Sequence, residues 1–126
     1  MNKEAYEKGM KIRREVLGDA HVDAALKGID DFNGPLQEMV TAHAWGDVWG
    51  REGLPRQTRS MLNIAMLSVL NRPHELMGHL RGALRNGVTK DEIREVLLQV
   101  AIYAGFPAAI DSFRVAREVL KEEGKG

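Results

Sequence analysis

At 126 residues the chain is long enough for one domain with a genuine core and too short for two. Its 44% hydrophobic and 29% charged residues exclude a disordered chain, and eighteen basic residues balancing eighteen acidic ones make a poor match for a phosphate backbone or an anionic membrane. The absence of cysteine excludes disulfides, thiol nucleophiles and cysteine-ligated metals together. The opening MNKEAYEKGMKIRREVLG is charged throughout, and the longest apolar run, Met61 to Leu70, is about half a membrane span. A single cytoplasmic domain over residues 1–126 is expected, with neither nucleic acid nor membrane as partner.

The hydrophobic period predicts helices only. Residues Asn2 to Leu17 form a charged amphipathic helix closed by Gly18. Asp19 is placed to cap a second helix reaching about Asp30. Asn33 is placed to cap a third, with Pro35 in its first turn, running to about Trp49. After a loop over 50–55, a fourth helix covers 56–70. Its last ten positions are apolar except Asn63 and Ser68, which predicts a central helix buried all round. Pro73 opens a fifth helix that stops at Asn86-Gly87, and Thr89-x-x-Glu92 is a capping box for a sixth. Gly105 and Pro107 break the chain before a seventh helix over about Ala108 to Glu122. Met10, Met39, Met61, Met66 and Met77 read as core filler. Seven helices around one buried helix leave outer apolar faces, so Ile102, Phe106 and Phe113 are candidates for subunit contacts.

Charge is unevenly spread. Arg51, Arg56, Arg59, Arg72, Arg81 and Arg85 face only Glu52 and Glu75 between residues 51 and 86, and no lysine occurs from Gly28 to Thr89. Guanidinium is the cation that holds a carboxylate through two parallel hydrogen bonds, although surface pairing fits the same pattern. Arg56 and Arg59, three apart at the start of the fourth helix, are the candidate clamp for an acidic ligand, with Arg81 and Arg85 as weaker candidates. The segment His74-Glu75-Leu76-Met77-Gly78-His79 is not a zinc helix, because two histidines five apart lie about 140° around the helix from each other. No metal is expected. Glu75 and His79, four apart, share a face and suit a proton-transfer pair; a solvated helix pair is the alternative. Small Gly78 and Gly82 leave room beside the His79 ring. Trp45 and Trp49, one turn apart, suit core packing or a subunit interface, or else the wall of a pocket. His43 and Asp47 form a further i,i+4 pair, while Tyr6 and Tyr103 are possible proton relays or plain packing residues.

The strings FNGPLQEMVTAHAWGDVWGREGLPRQTRSMLNIAML and ELMGHLRGALRNGVTKDEIREVLLQVAIYAGFPAAIDSFRVAREV resemble the carboxymuconolactone decarboxylase family from about Tyr6 to Leu120. The combination of AWGxVW, GLPRxTRS, HxRxALRNGVTKxEI and YAGxPAA carries the likeness. The resemblance implies an all-helical AhpD-like fold of about seven helices, assembled as a homohexamer. It implies conversion of γ-carboxymuconolactone to β-ketoadipate enol-lactone and carbon dioxide, in the protocatechuate branch of the β-ketoadipate pathway, with no added cofactor. Peroxide-reducing relatives carry a CxxC motif with a histidine four residues beyond it. Aligned on His79, those cysteines fall at Arg72 and Glu75, and an upstream glutamate of those relatives falls near Ser60. With no cysteine, thiol peroxidase activity is not expected.

A dicarboxylate lactone that loses carbon dioxide into its own conjugated carbonyl needs no external electron sink. The expected tasks are then holding the acetate carboxylate and the developing enolate oxygen with Arg56, Arg59 and Arg81, and protonating carbon with His79 or with Glu75 acting through it. Trp45 or Trp49 would supply an apolar wall beside the leaving carboxylate. A non-catalytic module of the same fold that binds a small acid is the competing reading.

Overall fold

The computed structural model describes residues 2–126. It is all-α, with seven α-helices, one π-helix and, among the described residues, no strand. No helix among them is long and apolar enough to cross a membrane. The chain forms two compact units, the first ending at Arg56 and the second running from Gln57 to Gly126.

In the first unit, Asn2 caps α1 (Lys3–Leu17) by accepting from the Ala5 backbone N–H at 3.2 Å, and Gly18 ends it at φ 93°. The predicted Asp19 cap is not made. Gly18 is the cap residue of α2 (Asp19–Lys27), and Asp19 pairs instead with Arg14 at 3.1 Å, alongside Asp23 at 2.9 Å. Hydrogen bonds to Asp23 and then Asp19 raise Arg14 above its ordinary range. Asn33 is the cap residue of α3 (Gly34–Met39) as expected, but its side chain makes no capping bond. Its side chain turns back to accept from the Asp30 N–H and to donate to the Gly28 carbonyl, both at 2.9 Å, which orders the loop before the helix.

The predicted single helix from Asn33 to Trp49 is two pieces. The chain widens after α3 into a π-helix, Val40–Val48, closed by the Trp49 N–H on the Ala44 carbonyl at 2.9 Å. Backbone contact with α1 fixes this segment. A Cβ on Gly9 would strike the Thr41 carbonyl, and a Cβ on Gly46 would strike the Ala5 carbonyl. The two glycines therefore let α1 and the π-helix approach at backbone distance. One turn beyond Gly9, Arg13 is only 6% exposed and donates to Gln37 Oε1 at 3.1 Å and Thr41 Oγ1 at 3.2 Å. Burial, more than the neighbouring Arg14 charge, lowers this guanidinium from its ordinary range, with Tyr6 opposing.

In the second unit, α4 (Arg56–Val69 as a whole, its first residue closing the preceding unit) and α5 (Pro73–Arg85) are joined through Asn71, which takes φ 56°. Asn tolerates that left-handed turn. Arg72 donates to the Leu70 and Asn71 carbonyls at 3.1 and 3.3 Å, closing the end of α4. The predicted stop at Gly87 and the Thr89–Glu92 capping box of α6 (Lys90–Ala104) are both present. The last helix, α7 (Phe106–Glu122), starts two residues earlier than expected because Gly105, at φ 108°, makes the whole break and Pro107 fits the first turn. Ile64 of α4 is fully buried among Leu76, Leu80 and Ala83 of α5, Ile93 and Leu97 of α6, and Ala116 and Val119 of α7. Each of these Ile, Leu and Val side chains contributes about 1.5–3 kcal/mol.

The expectation that α4 is buried all round is not met within the chain. Only Ser60, Ile64 and Ser68 are buried, whereas Leu62, Met66 and Val69 are exposed. Met66 and Met39, read as core filler, accordingly stand on the surface.

The glycine contact predicts a sharp stability contrast. Gly9→Ala should lose about 3 kcal/mol, at the upper end of overpacking costs, because the obstacle is backbone and not a side chain that can swing aside. Gly53→Ala, where an added Cβ meets nothing within 4 Å, should stay within about 0.5 kcal/mol. Urea unfolding midpoints at unchanged slope measure both.

Candidate active site

In the second unit, His79 sits midway along α5 between the buried Gly78 and Leu80. The small neighbours expected to make room for its ring are in place, with Gly82 also buried. Its Nδ1 faces the side-chain amide Nδ2 of Asn63, from α4, at 3.3 Å in a partly buried setting. The contact follows from the core. Ile64 and Leu80 anchor α4 and α5, and the residues next to them, Asn63 and His79, are carried to the same edge of that packed seam.

Glu75, the predicted partner of His79, is exposed in the first turn of α5 and lies one turn from the ring. The residue hydrogen-bonded to Nδ1 comes from the neighbouring helix instead. A signal for Asn63 was present in the sequence: it is a lone amide inside an apolar run, and a half-buried amide needs a partner. A second cross-link lies one turn earlier on α4, where Asn86 donates to the buried Ser60 Oγ at 2.9 Å. It ties the α5 stop to α4.

The arginines separate by partner. Arg59 is half-buried on α4, four residues before Asn63 and therefore on the same stripe of the helix. Arg56 pairs with Glu15 at 3.1 Å within the first unit, at an exposed position. Arg81 grips Glu122 of α7 with two nitrogens, at 3.0–3.2 Å, and so fastens α5 to α7. Arg72 holds carbonyls, as described above. Among the predicted site residues of this unit, the structure thus brings together His79 and the α4 stripe that carries Arg59, and it commits Arg81 to a protein carboxylate.

Trp45 and Trp49 belong to the first unit, at 4% and 8% exposure, in a core with Ile12, Val16, Leu17 and Val22. Their ring centroids are 4.9 Å apart at an interplanar angle of 28°. Residues one turn apart lie on one side of the segment, so the two rings can stack. His43 and Asp47 form an exposed pair at 3.0 Å on the same segment. Tyr103 is 82% exposed.

A hollow of about 850 Å³ lies along α4 and α6 of the second unit. Met61, Leu62 and Val96 give it an apolar floor, and its charged residues are Asp91, Glu92 and Glu95. That sign repels a carboxylate, and neither His79 nor Arg59 lines it, so it is a poor seat for an acidic ligand.

A family model described as the carboxymuconolactone decarboxylase family matches residues 34–118. The chain is 46% identical over 123 residues to the 4-carboxymuconolactone decarboxylase of Acinetobacter baylyi, covering 98% of this chain and 92% of that protein. It is 38% identical over 122 residues to the nitrosuccinic acid decarboxylase npaB of Metarhizium robertsii, covering 97% and 85%. A 4-carboxymuconolactone decarboxylase sequence from Pseudomonas putida is 60% identical over 45 residues, 36% of this chain and 94% of that sequence.

The placement of Trp45 in a core makes it testable apart from the site. Trp45→Ala should cost about 3–5 kcal/mol of stability, read by chemical denaturation. Loss of activity with the unfolding midpoint unchanged would instead assign the indole to a ligand.

Proposed function

The chain belongs to the carboxymuconolactone decarboxylase family, and from that premise we propose that it decarboxylates 4-carboxymuconolactone to the enol-lactone of β-ketoadipate without an added cofactor. The observation that carries this reading is near-full-length likeness to two proteins named as decarboxylases of small acids. The two names share a chemical logic. A conjugated lactone and a nitro group are both able to accept the electron pair that carbon dioxide leaves behind, so each substrate supplies its own electron sink.

The protein's part is then electrostatics and one proton. Breaking the carbon–carboxylate bond sends the pair into the lactone as a dienolate. We assign Arg59 to the substrate carboxylate or the developing enolate oxygen, helped by the backbone N–H groups at the start of α4. Arg56, three residues earlier on the same helix, is paired with Glu15 and is left out of this assignment. We assign His79, in its protonated form, to deliver a proton to the carbon beside the lactone carbonyl, after which solvent restores it. The result is the enol-lactone, which keeps its acetate carboxylate, and the one proton consumed takes the place of the carbon dioxide released. Glu75, exposed one turn before His79, is a candidate relay from solvent.

We further propose that the chain works in the cytoplasm, in the protocatechuate branch of aromatic degradation, as a homohexamer. Assembly is supported by the apolar surface that the second unit leaves open, with Ile102 at 71% exposure beside exposed Phe106 and the outer face of α4. Phe113, the third residue expected at a subunit contact, is instead half-buried against the core.

Purified protein should consume 4-carboxymuconolactone, followed by ultraviolet absorbance, with one equivalent of carbon dioxide and no additive. His79→Ala should lower kcat by about 10²–10⁴-fold. Arg59→Ala should lower kcat/KM by about 10- to 100-fold, the worth of a charge-assisted hydrogen bond. Arg81→Ala should change it less than about threefold, since its fork is occupied by Glu122 in a partly exposed pair. Tight dicarboxylate binding without turnover would place the chain among non-catalytic acid-binding modules.

A further inference from the structure

A guanidinium presents its N–H groups in one plane, and the edge that joins Nε–H to Nη2 meets a carboxylate with two parallel bonds. In the first unit, Arg13 of α1 is 6% exposed. Its Nη1 donates to two neutral acceptors, Gln37 Oε1 and Thr41 Oγ1. Its Nε–H is buried and meets no acceptor among the described residues. No carboxylate acts on its charge, which responds to burial, Tyr6 and Arg14. The contrast with the next residue is direct. Arg14, partly exposed, holds two carboxylates, Asp19 at 3.1 Å and Asp23 at 2.9 Å. The cation that solvent screens has two counter-ions, and the cation cut off from solvent has none. A buried charge without a counter-ion is costly.

We propose that Arg13 is an anion-binding residue whose Nε edge takes a carboxylate, either of a small organic acid or of a second copy of the chain. A cross-link alone does not account for the residue. An amide in its place would also donate to Gln37 and Thr41, without burying a charge. Those two side chains hold the guanidinium before a ligand arrives, so little ordering is left for binding. Their neutral oxygens leave one positive charge to be balanced, which one carboxylate does. Gln37 is half-buried, so the guanidinium lies one side chain below the surface and suits a slender terminal carboxylate. Burial lowers this guanidinium from its ordinary range, and an anion on the Nε edge opposes that pressure. The proposed decarboxylation makes no use of Arg13, so the two readings stand or fall separately.

Proton–nitrogen correlation spectra of the arginine Nε–H groups test this in the full-length protein, with the Arg13 signal assigned through bonds from its own backbone. Succinate is titrated at constant ionic strength against sodium chloride. A free acid at the site should move the Arg13 Nε–H proton downfield in a saturable way, and chloride should leave it in place. At about ten times the half-saturating concentration, the thermal midpoint should rise by about 5 °C. Arg13→Gln should lose most of that rise. A carboxylate supplied by a second copy should instead give a downfield signal that succinate does not move. That signal should shift upfield on dilution as the sedimenting mass falls. Either response supports the proposal and identifies the source. An Arg13 Nε–H signal that neither succinate nor dilution moves would overturn it. So would an equal response to chloride, or a succinate-dependent rise undiminished in Arg13→Gln. The spectra of the unmodified protein decide the matter even where Arg13→Gln does not fold.

Discussion

Ile64 is the residue on which the second unit depends. It is fully buried in a core to which α4, α5, α6 and α7 all contribute. A close-packed interior allows little slack in that setting. The neighbour of Ile64 in sequence is Asn63, and the neighbour of its core partner Leu80 is His79. Two members of one buried cluster are thus each followed or preceded in sequence by a polar residue, and those two side chains meet at 3.3 Å. Loosening the cluster by a methylene would be felt first at the amide–imidazole distance, before any loss of helix.

The arginine-rich middle of the chain dissolves, in three dimensions, into separate tasks. Arg72 closes a helix end, Arg81 clamps α5 to α7, and Arg56 reaches the Glu15 carboxylate of α1. Three members of the run of cations are thus committed to acceptors within the protein. Arg59 differs in lying on the stripe of α4 that ends at the His79 contact. Its proximity to the imidazole in register, rather than its membership of a charge run, is the reason to assign it to an anion.

Most of the fold was legible because helix ends carry local chemistry. Gly18, Gly87, Gly105 and the Thr89–Glu92 box mark boundaries in the sequence and in the structure. The misreadings share a cause. Asp19 and Asn33 are good caps in isolation, but Arg14 and the Asp30 loop offered their side chains other partners. The π-helix was not legible, since it follows from the approach of α1 to Gly46, a contact between residues some forty positions apart. The apolar run of α4 reads as burial on every side, but one chain supplies neighbours for one side only. At the site, the spacing of Glu75 and His79 pointed to a partner on the same helix. The actual partner depends on how α4 packs, which no local pattern encodes, although the isolated amide in an apolar stretch was the visible trace of it.

An amide rather than a carboxylate beside His79 also fits the charge of the proposed substrate. A dianion loses carbon dioxide more easily where its charge is tolerated but not increased. Two like unit charges about 6 Å apart repel by about 3 kcal/mol at an effective dielectric constant near 20. A carboxylate on Nδ1 would set that penalty against the substrate each time it bound. It would also hold the imidazolium so firmly that the proton would be given up less readily to carbon. A neutral amide orients the ring without adding charge, leaving the local field to Arg59. The acid-rimmed hollow along α4 and α6 shows the reverse arrangement on the same helix, with apolar walls and only negative charge at its edge. The stripe of α4 that carries Arg59 and Asn63 is separate from the one that lines this hollow, so the proposed anion site and the acidic rim do not share a surface.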